Sequence, residues 1–126
     1  MTVSVVRLRG QVRDHALALP EAWEDHPWDE SVVKVRKKIF VFLGMEPPSK
    51  WPVSITVKLP GSHPMALAQR GVESSGYGLG RAGWVTVDLA KAGLPFEALR
   101  EWVDESYRAV APKRLIAEWD ATLQDG

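Results

Sequence analysis

The chain contains no cysteine, no long apolar run and no net charge, and each absence narrows what the protein can be. Without cysteine, thiol nucleophiles, thiolate metal ligands and disulfide bonds are excluded. No segment approaches the roughly eighteen apolar residues of a membrane span, and MTVSVVRLRG at the N-terminus lacks the apolar core of a signal peptide. We therefore expect one cytoplasmic domain spanning 1–126, with no membrane partner.

The sixteen basic and sixteen acidic side chains cancel, so the whole molecule has no field that would attract nucleic acid or anionic lipid. Their distribution along the chain is uneven. Between 31 and 60 the only acid is Glu46, whereas six bases occur there, namely Lys34, Arg36, Lys37, Lys38, Lys50 and Lys58. A polyanionic partner should therefore contact the middle of the chain.

Two hydrophobic periodicities predict the secondary structure. Apolar residues three or four positions apart predict helices at 5–19 and 96–110, which Pro20 and Pro112 end, and a short helix is expected at 64–69. β-branched or alternating segments predict strands at 32–35, 39–43, 53–59 and 84–89. The core should span about 5–112, with 113–126 as a C-terminal extension formed by a short helical piece or a folded-back tail.

Strands grouped between terminal helices indicate an α+β fold, with an antiparallel β-sheet packed against N- and C-terminal helices. The sequence leaves the oligomeric state open.

The segment EDHPWDE at 24–30 places four carboxylates and a histidine within seven residues. Neither His15 nor His63 stands at a helical or strand spacing from His26, and the glycine of a calcium loop is absent. We therefore expect neither a metal site nor a cofactor. Instead, Trp23 and Trp28 should pack this loop into the core, while the acids are solvated or cap neighbouring elements.

Enzyme motifs are also missing. The glycine-rich segment GYGLGRAGW precedes a strand, whereas a phosphate-binding loop follows a strand and opens a helix. No serine lies in a Gly-x-Ser-x-Gly elbow. We therefore expect no catalytic residues and no enzymatic activity.

The predicted hairpin around Arg36 could form a basic sheet face. If Val33 and Val35 point into the core, Lys34 and Arg36 point to the opposite face, where Lys58 also lies. An even hairpin loop would turn Phe40 and Phe42 inward, and an odd loop would turn them outward. Trp84 should share the outer face with these cations, which suits phosphates and stacked bases.

The order of landmarks resembles the MmcQ/YjbR family from about 14 to 112. The segments that carry the resemblance are ALALP at 16–20, Pro27-Trp28, Lys34-Val35, Lys38-Ile39-Phe40, Gly76-Tyr77, Trp84 with Val87 and Leu89, and Ser106-Tyr107. The resemblance implies a CyaY-like (bacterial frataxin) fold and a DNA-binding protein of the double-wing type. Two departures occur: Gly80-Arg81-Ala82-Gly83 replaces the family's Asn-Lys-x-His, and Arg36-Lys37 replaces its Gly-Gly hairpin.

The sequence thus predicts a non-enzymatic DNA-binding domain. The residues expected to contact DNA are Lys34, Arg36, Lys37, Lys38, Lys58 and Arg81 at phosphates, with Tyr77 and Trp84 stacking. An alternative is a small-molecule or protein-interaction module with a pocket or interface around Tyr77 and Trp84. Iron or divalent-metal binding, by analogy with the frataxin fold, ranks below both, because a shared fold does not imply a shared function.

Overall fold

A computed structural model of the protein describes residues 5–47, 52–76 and 82–125, and its centre is an antiparallel sheet. Six strands pair in the order β1-β2-β3-β4-β6-β5. The strands are β1 (Ala22–Asp25), β2 (Glu30–Val35), β3 (Lys38–Met45), β4 (Ser54–Lys58), β5 (Val72–Ser74) and β6 (Trp84–Asp88). With the helices before and after it, this sheet confirms the predicted α+β fold.

Within the described ranges, five α-helices accompany the sheet: α1 (Val5–Leu17), α2 (His63–Leu67), α3 (Leu89–Ala92), α4 (Phe96–Val110) and α5 (Lys113–Asp125). A short 3-10 helix spans Pro27–Asp29. The helices α1 and α4 contact each other and pack on the same face of the sheet, with α4 against β3 and β4. We call this the inner face and the opposite one the outer face. None of the helices in the described ranges is long and apolar enough to cross a membrane.

The strands β4 and β6 follow the predicted alternation. Ile55 and Val57 of β4 point inward and are fully buried, as are Val85 and Val87 of β6. The alternate residues of β4 point outward, where the hydroxyl oxygens of Thr56 and its β6 partner Thr86 lie 2.9 Å apart. Alternation therefore predicted the orientation of these side chains correctly.

The β2–β3 hairpin fits neither alternative for its phenylalanines. Its two-residue turn is even, yet Phe40 points inward onto Tyr107 while Phe42 points outward onto Trp84. The reason is a shift in register: Val33 pairs with Val41 and Lys34 with Ile39, so Phe40 is an extra residue in β3. Such an insertion changes which face the following side chains occupy.

Several regions differ from their prediction, including β5 and α3, which were not predicted. The segment Ala22–Asp25, expected to be part of a loop, is the edge strand β1. Beyond 112, where a short helical piece or a tail folded back on the core was predicted, the helix α5 is thirteen residues long, and its Leu115 and Trp119 belong to the hydrophobic core. Trp119 packs edge-to-face on Tyr107 of α4, with ring centroids 5.2 Å apart.

Candidate nucleic-acid interface

The tip of the β2–β3 hairpin carries three consecutive cations. Arg36 and Lys37 form the turn and Lys38 begins β3, and all three side chains are exposed. Arg36 has a φ of 57°, the left-handed conformation that a two-residue hairpin turn requires. Lys38 pairs with the inward-pointing Val35, which directs it toward the helices rather than toward the outer face.

An open groove of about 570 Å³ separates the hairpin tip from the junction between α4 and α5. Its lining is apolar in the middle and cationic at the rim. The apolar residues are Val35, Val110, Ala111 and Pro112, and the cations are Arg36, Lys37, Lys38 and Lys113. We call this feature the tip groove.

The cations of the tip groove are not equally available. Arg36 Nε lies 3.2 Å from a carboxylate oxygen of Glu21. Lys37, Lys38 and Lys113 form no ion pair within the part of the chain that the structure describes. Among the described residues, the rim therefore has three positive charges without an ion-pair partner around an apolar floor.

The predicted basic sheet face forms only in part among the described residues. Lys34 and Lys58 do point to the outer face, but Lys34 Nζ lies 2.7 Å from Asp25 Oδ2. The hydrogen bond from Lys34 lowers the pKa of Asp25, so this carboxylate stays charged and offsets the lysine. Glu73 and Asp88 also occupy outward positions of β5 and β6. The positive charge is concentrated at the hairpin tip instead.

The structure places Trp84 where it offers no open ring face. The side chain is on the outer face as predicted, but it is only 8% exposed and packs edge-to-face on Phe42 at 5.4 Å. Its predicted role in stacking bases is therefore not supported, because stacking requires an accessible π-face. The predicted residues Tyr77 and Arg81 lie outside the described residues.

Trp23 is an exposed aromatic residue, which the sequence did not indicate. It was predicted to pack in the core, but it is 44% exposed on the edge strand β1, opposite Lys34 on the outer face. Its Nε1–H donates to the carbonyl oxygen of Arg36 at 2.7 Å, and Lys34 Nζ lies 5.1 Å from the ring centroid. The prediction was wrong because β1 was not recognised as a strand, and the strand alternation turns Trp23 outward.

Glu24 of the acidic segment is compensated by neighbouring donors, whereas Asp29 and Glu30 are exposed as predicted. Arg13 of α1 donates to Glu24 Oε1 from Nε at 3.0 Å and from Nη2 at 2.5 Å. The Ser31 hydroxyl donates to the other carboxylate oxygen, Oε2. These donors, Arg13 first, lower the pKa of Glu24 to about 2. The expectation that the acids are solvated therefore fails for Glu24, which connects α1 to the sheet.

Glu24, His26 and Glu46 place one potential ligand atom each within 4.8 Å of one another. A cation there would compete with Arg13 for the Glu24 carboxylate. It would also compete with Arg9 for the Glu46 carboxylate, which lies 3.6 Å from the Arg9 guanidinium. Because each carboxylate has an arginine beside it already, this geometry gives little support to a metal site.

The buried side chains of α4 set the position of the hairpin. The Ser106 hydroxyl donates to the carbonyl oxygen of Phe40 at 2.5 Å and accepts from the backbone N–H of Lys58 at 2.9 Å. It thus bridges β3 and β4 beside the inserted Phe40. The Tyr107 hydroxyl donates to the carbonyl oxygen of Pro20 at 2.8 Å. A buried serine in the apolar stripe of α4 was the sequence signal for this contact.

Comparison with known proteins adds one match. The model of a protein family described as YjbR matches residues 17–109, which include all six strands and most of α4. No curated protein matches the chain.

Proposed function

Because the chain belongs to the YjbR family, we propose that it is a non-enzymatic DNA-binding protein that holds the phosphate backbone at the tip of its β2–β3 hairpin. The observation that supports this function best is the tip groove, whose rim carries Lys37, Lys38 and Lys113 with no ion-pair partner in the described part of the chain. Family membership alone gives the fold and not the ligand, so the charge distribution supports the proposal.

The apolar floor strengthens the attraction between the rim and a phosphate. Val35 and Ala111 are buried and Pro112 is partly buried beneath the rim. Apolar surface lowers the local dielectric, so a charge pair at its edge is screened less than one in open water. The protruding tip also suits a DNA groove, since a two-stranded β-ribbon fits into the major groove.

The neutral net charge predicts how this binding behaves. No long-range field attracts the polyanion, so affinity depends on a few local phosphate contacts, and it falls with salt in proportion to their number. Arg81, outside the described residues, stays a predicted further contact. The relation to the frataxin fold also stays a prediction.

The test is a fluorescence-anisotropy titration of labelled DNA at low and moderate salt, comparing wild type with Lys37→Ala/Lys38→Ala. The matched control is Arg70→Ala/Lys91→Ala, which removes two exposed cations near β5, at the opposite end of the sheet from β1. If each hairpin lysine contacts a phosphate, the double variant should bind duplex DNA at least about tenfold more weakly, with a salt slope smaller by about 2.

Two results would refute the proposal. Wild type could fail to bind DNA even at low salt, or the hairpin variant and the control variant could lose affinity equally. The second result would mean that the charge alone, and not its position at the tip groove, decides binding.

A second candidate function has one observation in its favour. A shallow pocket of about 300 Å³ on the outer face is lined by hydroxyls of Ser54, Thr56, Ser75 and Thr86 beside Phe42. Such a pocket suits a small polar ligand with one apolar side. A thermal-shift screen of polar metabolites would test it, because a true ligand should stabilise wild type and lose its effect in Thr56→Val.

A further inference from the structure

The outer face of β1 carries an exposed aromatic ring beside the basic tip, and the proposed function gives it no role. We infer that Trp23 stacks on an unpaired base, so that the hairpin prefers single-stranded DNA over duplex DNA. This inference rests on the proposed function and names the form of DNA that the site takes.

The ring of Trp23 is held in one orientation. Its Nε1–H donates to the carbonyl oxygen of Arg36, and Lys34 Nζ lies over the ring at 5.1 Å from the centroid. These contacts involve one edge and one face of the ring, and Trp23 is nevertheless 44% exposed. A ring that is already fixed loses little conformational entropy when a base stacks on it.

The charges around the ring also favour a base with its phosphate. Three acids lie within two residues of Trp23 in the sequence, namely Glu21, Glu24 and Asp25. Each has a described cationic partner, Arg36, Arg13 and Lys34 respectively, so none of them leaves an unpaired negative charge beside the ring. Lys37, which forms no described ion pair, follows Arg36 directly, and Arg36 supplies the carbonyl that holds the ring. A base on Trp23 would therefore place its backbone next to an available cation.

The preference for single strands follows from geometry. In a duplex each base is covered on both faces by its neighbours, so an exposed aromatic side chain cannot stack without disrupting the helix. In a single strand the faces are accessible, and stacking on an aromatic ring adds affinity whatever the base. Phosphate contacts at the tip groove are common to both forms of DNA. The difference in affinity between the two forms therefore measures the contribution of the Trp23 ring.

The decisive experiment separates the contribution of the bases to binding from that of the phosphates. Anisotropy titrations would use three labelled probes of the same length: oligo-thymidine, an abasic strand with the same number of phosphates, and a duplex. The variants are Trp23→Ala, Trp23→Phe and the control Met65→Ala, which truncates a side chain that is 68% exposed on α2. Far-UV circular dichroism would verify that each variant is folded.

Wild type should bind oligo-thymidine about tenfold or more tightly than the abasic strand. Trp23→Ala should lose that ratio and bind both strands alike, whereas Trp23→Phe should keep most of it because a phenyl ring still stacks. Met65→Ala should match wild type.

The outcomes distinguish the inference from the proposed function. Equal binding of oligo-thymidine and the abasic strand by wild type, or an unchanged ratio in folded Trp23→Ala, overturns the stacking role while leaving phosphate binding intact. Absence of binding to all three probes overturns both.

Discussion

Replacing Glu24 with glutamine should remove a defined part of the protein's acid sensitivity. Glu24 accepts two hydrogen bonds from Arg13 and one from Ser31, and its side chain is 13% exposed. These contacts stabilise the carboxylate and lower its pKa from 4.5 to about 2, and the hydrogen bonds from Arg13 contribute most.

The pKa difference sets both the sign and the size of the effect. Between pH 4.5 and about pH 2, Glu24 is protonated in the unfolded chain but ionised in the folded protein. The free energy of unfolding therefore falls as the pH falls through this range. Above pH 4.5 the full contribution is present. It amounts to about 3 kcal/mol in the free energy of unfolding, at about 1.4 kcal/mol per pKa unit. About 2 kcal/mol of it should be lost between about pH 6 and about pH 3.

The assay is urea unfolding followed by tryptophan fluorescence at these two pH values. The wild-type protein should lose about 2 kcal/mol more than Glu24→Gln on acidification. Asp25 and Asp120 also have lowered pKa values, from their bonds to Lys34 and Arg108, but they are present in both proteins and cancel in the comparison. Glu73→Gln removes an exposed carboxylate as a control and should follow wild type. Parallel losses in wild type and Glu24→Gln would refute the reasoning.

Other substitutions test the packing around the hairpin by thermal or urea unfolding. Ser106→Ala leaves the Phe40 carbonyl and the Lys58 N–H without their shared partner and should cost about 2–4 kcal/mol; a cost no larger than that of the exposed Thr122→Ala would contradict the bridge. In Gly71→Ala, with φ at 78°, the new Cβ would lie 2.6 Å from the Ala92 nitrogen, and we expect a loss of about 2–4 kcal/mol. Gly10→Ala, in open space within α1, should instead stabilise the protein by about 1 kcal/mol; equal effects of the two glycine variants would show that the close approach at Gly71 is wrong.

Local periodicity was enough to predict the main elements of the fold. The alternation of β4 and β6 and the helical spacing of α4 each depend on which side of one element is apolar, and neighbouring residues carry that information. The short strands β1 and β5 were missed because four and three residues are too few to show a period.

The site was predicted only in part, since its residues come from distant elements. The three adjacent cations of the hairpin were visible as a run, and the structure places them together at the tip. Lys113 joins them only because α5 begins beside the hairpin. The charge of Lys34 is compensated because β1 places Asp25 beside it.

Trp23 and Trp84 of the outer face also show that the exposure of a ring depends on residues from distant elements. Trp84 becomes buried and Trp23 becomes exposed because of what packs against each ring.

The sequence by itself determined the class of fold, the faces of the regular strands and helices, and the position of the positive charge along the chain. Only the tertiary structure decided the register at Phe40, the compensation of each charge, and which aromatic ring is accessible. The physical reason is that secondary-structure preference arises between near neighbours, whereas burial and ion pairing depend on groups that the fold brings together from far apart in the chain.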